Sequence, residues 1–169
     1  MEKEVVAVSD ETKEPVSRGE SVFRLATLDD VEAISAIESD IFPKAADRLG
    51  PRQLKRLLTE GHGEIYLDEV DGRIAGFAIV LFREGSRVAR GYSIAVLPEV
   101  RRTGVATDFF AWGEQRVLEA GCDEVHFEVH TTNTRARHLY EQLGYRVIEE
   151  MPDYFGPGDH AVRMSKTLG

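Results

Sequence analysis

The chain has 169 residues, 42% hydrophobic and 30% charged, which is typical of a single globular domain with a sizeable core. Its formal net charge of −9 argues against a nucleic-acid-binding protein, because such proteins neutralise phosphates with Lys and Arg, and it favours cationic partners such as amines. The longest apolar run, residues 74–82, is too short to cross a bilayer and the N-terminus is acidic, so we expect a cytoplasmic protein that binds no membrane.

The first half of the chain predicts a tail, two helices and three strands. Residues 1–21 are rich in charge and lack a hydrophobic period, and we interpret them as a flexible or loosely docked tail before a domain of residues 22–169. A strand at 22–25, a helix from 27 to about 42, a loop to 50 and a helix at 51–61 are expected next. Strands at 64–70, 73–82 and 88–97 follow, with a tight turn at Asp71-Gly72, and their short connections predict an antiparallel meander.

A strand-to-helix turn in the middle of the chain has the features of an anion site. The turn comprises Arg101, Arg102, Thr103, Gly104, Val105, Ala106 and Thr107. The helix that begins here leaves its first backbone N–H groups without partners inside the helix, and the small residues at 104 and 106 let an anion approach them. The segment lacks the Gly-Lys-Ser/Thr of a nucleotide P-loop and the G-x-G-x-x-G of a dinucleotide fold. We expect a phosphorylated ligand here; the alternative is an ordinary helix start.

The second half predicts a strand at 124–130, a helix at 133–143, a strand at 145–150, a loop at 151–159 and a last strand at 161–166. The strand at 124–130 alternates regularly, so His126, Glu128 and His130 share its polar face. Three metal ligands at this spacing would span about 13 Å, which is too far for one ion. We therefore expect no metal site.

Two sequence blocks resemble signatures of the GNAT superfamily of N-acetyltransferases. The first is Arg101-x-x-Gly104-x-Ala106, which resembles the pyrophosphate-binding loop. The second is Asn133-x-x-Ala136-x-x-Leu139-Tyr140-x-x-Leu143-Gly144-Tyr145. The resemblance covers residues 22–168 and implies an α/β fold, GNAT-like, with a mixed, mostly antiparallel central sheet and helices on both faces. It also implies acetyl coenzyme A (acetyl-CoA) as co-substrate and no metal.

Within that superfamily the chain looks most like the N-terminal-amine acetyltransferases, including the ribosomal-protein alanine acetyltransferases. The supporting segments are Ile37-Glu38 with Phe42-Pro43, Phe127-Glu128-Val129, and Asp153-Tyr154-Phe155. The chain departs from the family pattern at Ala106, where glycine is frequent, and at His130, where the alanine acetyltransferases often carry arginine. The second departure leaves the identity of the acceptor open.

The resemblance also implies roles for individual residues. Glu128 corresponds to the general base and Tyr140 to the general acid of the family, whereas the alternatives are an ion-paired strand glutamate and a core tyrosine. The backbone of Ile94, Ala95 and Val96 resembles the strand that holds pantetheine and the thioester carbonyl. Asn133 either caps its helix or bonds the pantetheine arm. The acceptor is expected between the loop containing Phe42 and Pro43 and the loop containing Tyr154.

The predicted activity is therefore transfer of an acetyl group from acetyl-CoA to a primary amine, with a protein or peptide N-terminal α-amine favoured. Two alternatives stay open. One is acetylation of a small amine, and the other is a non-catalytic module that senses acyl-CoA.

Overall fold

A mixed β-sheet forms the centre of the molecule. The structure, a computed structural model, describes residues 16–18, 20–41, 49–96 and 104–169. The strands in these ranges are β1 Val16–Arg18, β2 Ser21–Leu25, β3 Gly63–Val70, β4 Arg73–Leu81, β5 Val88–Val96, β6 Glu124–His130, β7 Arg146–Gly156 and β8 Asp159–Thr167. Their order in the sheet is β1-β2-β3-β4-β5-β6-β8-β7. Neighbouring strands run antiparallel except for β5 and β6, which are parallel, so the predicted mixed and mostly antiparallel sheet is confirmed.

Four α-helices accompany the sheet in the described part of the chain: α1 Val31–Ile41, α2 Pro51–Glu60, α3 Val105–Glu119 and α4 Thr134–Gln142. Their ends carry the signals that the sequence shows. Pro51 occupies the first turn of α2 and Gly61 ends that helix with a φ of 75°. Asn133 caps α4, because its side-chain Oδ1 accepts a hydrogen bond of 3.1 Å from the Ala136 amide. No helix in these ranges is both long and apolar enough to cross a membrane.

The two faces of the sheet carry separate apolar cores, because side chains alternate along each strand. Ile65 and Leu67 of β3 pack with Ile34 of α1 and Leu54 of α2. On the opposite face, Phe127 of β6 belongs to a cluster with aromatic residues of α3 and α4. Helices therefore cover both faces, as predicted.

The hairpin between β3 and β4 turns at Asp71 and Gly72, with φ values of 51° and 75°. Two consecutive positive φ values are typical of a type I′ turn, which suits the twist of adjacent antiparallel strands and favours Asp-Gly. The predicted turn is confirmed.

The structure differs from the sequence predictions at two places. Residues 151–159 were expected to form a loop, but β7 continues to Gly156 and pairs again with β8 at Asp159. The proline and glycines that indicated a loop lie in an irregular stretch of this pair, where the register shifts between Met151 and Gly156. Near the other end, β1 lies within the segment expected to be a tail, and it pairs with β2.

A gap between β5 and β6 positions the candidate site. The two strands pair only from Val88 to Arg90 on β5 and from Glu124 to His126 on β6. Beyond these residues β5 continues along β4 to Val96, and β6 continues along β8 to His130. The backbone of each strand therefore loses its partner on one side over the last part of its length. We call this opening the β5–β6 gap.

Candidate active site

Glu128 lies on β6 beside the β5–β6 gap. Its neighbours Phe127 and Val129 are fully buried in the core under α3 and α4. Because side chains alternate along a strand, the Glu128 carboxylate points to the other face, the one on which α1 and α2 pack. The described part of β6 thus anchors Glu128 through apolar residues on both sides.

The Glu128 side chain is only 4% exposed, and both of its oxygens have partners. Oε1 accepts hydrogen bonds from Arg90 Nη2 at 2.6 Å and from the Tyr154 hydroxyl at 2.7 Å. Oε2 accepts a bond of 3.2 Å from Arg163 Nε. Burying a carboxylate is costly unless cations and hydrogen-bond donors accompany it, and these three groups supply both.

Tyr154 joins this cluster from β7. Burial, followed by its hydrogen bond to Glu128, raises the pKa of the Tyr154 phenol above its ordinary value of 10.0. The hydroxyl therefore stays protonated near neutral pH and can donate to the carboxylate. Its contact with the acceptor stays a prediction. The structure does place Tyr154 against Glu128, the residue that the sequence predicts as the base.

Arg90 and Arg163 are functional candidates that the sequence did not indicate. Arg163 lies directly opposite Glu128 in the β6–β8 pair, and it also contacts Glu149 at 3.7 Å. Arg90 lies on β5 opposite His126 and reaches along the sheet to Glu128. From sequence alone, each of them would be expected to be a solvated surface arginine. Only the strand register shows that both contact Glu128.

Tyr140 belongs to α4, which packs on the opposite face of the sheet from Glu128. It is 3% exposed, and its ring packs edge-on against Phe127 at 4.7 Å and tilted against Phe110 at 5.8 Å. Glu128 and Tyr140 therefore approach β6 from opposite faces, and the two faces meet at the β5–β6 gap.

The predicted anion site lies at the start of α3. Gly104 occupies the N-cap with a φ of 80°, and no side chain of the described residues supplies a capping hydrogen bond there. A Cβ added to Gly104 would meet no described atom within 4 Å. A 15-residue helix thus starts at a left-handed glycine, and the positive end of its dipole suits the binding of a phosphate.

The other predicted coenzyme residues are distributed as follows. Ile94, Ala95 and Val96 form the end of β5, after its pairing with β6 has stopped. Val105, Ala106 and Thr107 form the first turn of α3, where Ala106 is buried and Thr107 is exposed. The remaining predicted residues lie outside the described ranges: Arg101, Arg102 and Thr103 of the turn, and the acceptor residues Phe42 and Pro43.

The two histidines of β6 have separate carboxylate partners. His126 Nε2 lies 2.7 Å from Glu124 Oε1, and His130 Nδ1 lies 2.8 Å from Asp159 Oδ1. The His130 ring also stacks on Phe155, with 3.8 Å between centroids. Across the ranges that the structure describes, no group of three or more His, Cys, Asp or Glu side chains is arranged to hold a metal ion.

A sequence model of the acetyltransferase (GNAT) family matches residues 31–145, which is more than half of the chain and includes the start of α3, Glu128 and Tyr140. The chain belongs to this family. Among its relatives, an N-alpha-acetyltransferase of Sulfurisphaera tokodaii is 29% identical to this chain over 122 residues, which cover 66% of this chain and 73% of the relative. The N-terminal acetyltransferase A complex catalytic subunit NAA10 of Arabidopsis thaliana is also 29% identical, over 86% of this chain and 77% of its own.

Solved structures show the same GNAT fold. The ribosomal-protein-S18-alanine N-acetyltransferase of Escherichia coli superposes with a TM-score of 0.73 at 21% identity, over 88% of this chain and 94% of the other. Ard1 from Thermoplasma volcanium gives a TM-score of 0.74 at 20% identity, over 89% and 99%. Together with the family match and the sequence relatives, this makes the protein an N-acetyltransferase of GNAT type.

Proposed function

We propose that this enzyme transfers an acetyl group from acetyl-CoA to a primary amine, and that the preferred acceptor is the N-terminal α-amine of a protein or peptide. The observation that carries the proposal is the buried Glu128 carboxylate, held beside the β5–β6 gap by Tyr154. The names of the two relatives above, both acetyltransferases of N-terminal amines, support the choice of acceptor.

The described residues fit acetyl-CoA at two places. The N-terminus of α3 at Gly104 suits the diphosphate, and the end of β5 next to the gap suits the amide groups of pantetheine. Acetyl-CoA supplies the reactive thioester when it is bound. We assign to the Val96 amide the role of polarising the thioester carbonyl as negative charge develops on its oxygen.

Glu128 and Tyr140 divide the proton transfers between the two faces of the sheet. An N-terminal ammonium has a pKa of about 8, whereas a lysine amine lies near 10.4, so an α-amine needs only modest help to lose its proton. Glu128 takes this proton, directly or through a water molecule, and the neutral amine attacks the thioester carbon. The carbon–sulfur bond then breaks, and Tyr140 gives a proton to the departing sulfur; the new amide nitrogen loses its extra proton to solvent, from which Tyr140 is reprotonated.

The acceptor is assigned to the α1/α2 face, between the segment of residues 42–50 and the β7–β8 hairpin that carries Tyr154. An extended peptide fits this placement because its first residue alone must reach Glu128. The cytoplasmic location expected from the sequence stays a prediction alongside it.

A panel of acceptors tests the proposal. The purified protein is incubated with acetyl-CoA and with peptides that differ in their first two residues, and kcat/KM is compared with that for polyamines, free amino acids and aminoglycosides. We expect peptides to be preferred, with acetylation of the α-amine rather than of an internal lysine, as located by mass spectrometry. Turnover of small amines alone would overturn the preferred acceptor. Binding of acetyl-CoA without transfer to any amine would indicate the non-catalytic sensor instead.

A further inference from the structure

Arg90 and Arg163 contact the same carboxylate in different ways. Arg163 lies opposite Glu128 within the β6–β8 pair, uses its Nε atom and is also close to Glu149. Its side chain is 29% exposed. It is therefore held within the sheet by a carboxylate on each side.

Arg90 reaches Glu128 only with the tip of its side chain. Its Nη2 atom lies 2.6 Å from Glu128 Oε1 and 2.6 Å from the Tyr154 hydroxyl, and 47% of the side chain is exposed. On β5 it is registered with His126, two residues before Glu128 on the parallel strand. A long, half-exposed side chain in this position can leave the carboxylate by rotating into solvent.

Arg90 uses the oxygen of Glu128 whose partners are the more exposed ones. Oε1 accepts hydrogen bonds from Arg90 of β5, the strand across the gap, and from Tyr154 of β7. Both side chains are more exposed, at 47% and 37%, than that of Arg163, at 29%. Oε2 is directed towards β8 and Arg163. An amine that approaches Glu128 from solvent therefore reaches Oε1, where the Arg90 guanidinium already lies.

We propose that the Arg90 guanidinium occupies the position of the acceptor ammonium on Glu128 and is displaced by it, one cation replacing another. This inference rests on the proposed function, because it takes Glu128 as the group that receives the acceptor. An ammonium has three N–H donors, so it can bond both Oε1 and the Tyr154 hydroxyl, the two partners that Arg90 has in the free enzyme. Arg163 stays in place and keeps the buried carboxylate paired throughout.

The exchange has a kinetic consequence. If Arg90 covers Glu128 in the free enzyme, only the fraction of molecules with Arg90 displaced can bind the acceptor, and the apparent affinity falls by that fraction. Removing the guanidinium should therefore lower the KM for the acceptor. If Arg90 merely positioned Glu128, its removal would instead raise the KM for the acceptor.

The first test compares Arg90→Gln with the wild-type enzyme. We expect the acceptor KM to fall about threefold to tenfold while kcat changes by less than about threefold. Arg90→Lys, which keeps a cation on a flexible side chain, should give a KM nearer to the wild-type value. Arg87→Gln is the matched control: Arg87 precedes β5, is exposed and pairs with Asp123 at 2.8 Å, and its loss should leave both constants unchanged. A higher acceptor KM, or a tenfold loss of kcat, in a folded Arg90→Gln enzyme would overturn the exchange.

A second test does not require acetyl transfer. Propylammonium chloride is titrated into the wild-type protein, with potassium chloride at equal ionic strength as the control, and the guanidinium NMR signals of Arg90 and Arg163 are followed. We expect the Arg90 signals to move towards those of a solvated arginine and the Arg163 signals to stay. Absence of any change at Arg90, or a change at Arg163 instead, would overturn the proposal. If the wild-type protein acetylates no amine, the proposed function fails, and this titration still decides whether a small ammonium displaces Arg90.

Discussion

The ring of Tyr140 packs edge-on against that of Phe127, with 4.7 Å between their centroids. Glu128, the next residue along β6, points to the opposite face of the sheet. The proposed acid and base therefore lie on opposite faces of β6, and in our proposal the reacting groups meet them at the β5–β6 gap. Because the two proton transfers are assigned to different residues, substitution of each residue should have a different effect.

Replacing Tyr140 by Phe should lower kcat by about tenfold to a hundredfold, because the leaving sulfur loses its proton donor. The buried ring remains, so we expect the free energy of unfolding to change by only about 1 kcal/mol. Tyr145→Phe is the control. Tyr145 is buried in the same aromatic cluster, and its hydroxyl donates to Glu114 at 2.8 Å. Equal losses of kcat in the two variants would mean that packing, rather than proton donation, is responsible.

Replacing Glu128 by Gln should lower kcat/KM by about a hundredfold or more at neutral pH, because the acceptor loses its base. The deficit should shrink as the pH rises past the amine pKa of about 8, where the acceptor is already neutral. Glu124→Gln tests the specificity of the effect, since Glu124 lies on the same strand and pairs with His126. A deficit in Glu128→Gln that does not depend on pH would contradict the role of base. Circular dichroism of both variants shows whether they are folded.

Replacing Gly104 by Ala should raise the KM for acetyl-CoA by about tenfold or more, because the new methyl group would lie where the diphosphate is expected. The positive φ of 80° also adds a conformational cost of about 1 kcal/mol. Gly85→Ala separates the two effects, because Gly85 has a φ of 78° and an equally open surrounding in the described structure. Both variants should lose similar stability in urea unfolding, and only Gly104→Ala should affect acetyl-CoA. Equal KM values for acetyl-CoA in the two variants would contradict the proposal that the diphosphate binds at this turn.

The ion pair between Arg24 and Asp30 should make part of the stability depend on pH. Arg24 donates to both oxygens of Asp30 at 2.8 Å, and these hydrogen bonds lower the pKa of the Asp30 carboxyl below its ordinary value. A lowered pKa in the folded state means that the stabilisation is present above about pH 4, the pKa in the unfolded chain, and is lost as the pH falls below it.

Asp30→Asn should therefore reduce the free energy of unfolding by about 1–2 kcal/mol at pH 7 and by much less at pH 2–3. Urea titrations at the two pH values measure the difference. Asp29→Asn, at an exposed neighbouring position, should show little effect at either. An Asp30→Asn deficit that is as large at pH 2–3 as at pH 7 would contradict the ion-pair explanation.

Much of the fold could be predicted because its signals are local. Pro51 and Gly61 bound α2, Asp71-Gly72 produces the hairpin, and the alternation from Val125 to His130 predicts β6 together with its faces. The continuation of β7 could not be predicted, because Pro152 and Gly156 indicate a loop and only the pairing with β8 makes that segment a strand. Local propensity is a weak guide where tertiary pairing decides.

The candidate site could be predicted only in part, for a similar reason. Glu128 stands out on the polar face of a regular strand, and the family signature marks Tyr140. Arg90 and Arg163 are 38 and 35 residues from Glu128 in sequence. Their meeting depends on the parallel pairing of β5 with β6 and on the register of β6 with β8, which no short stretch of sequence encodes.

β7 is the last strand of the sheet as described, so its outer backbone groups pair with no other strand of the described ranges. Strands in this position can recruit a strand from another chain and start fibril growth, particularly when apolar side chains such as Val147 and Ile148 are exposed, as they are here. Glu149 and Glu150 follow immediately and would repel a second copy in register, while Pro152 withholds an amide donor and the shifted pairing before Gly156 bends the strand. The irregular continuation of β7, which the sequence did not predict, should thus also oppose edge-to-edge aggregation.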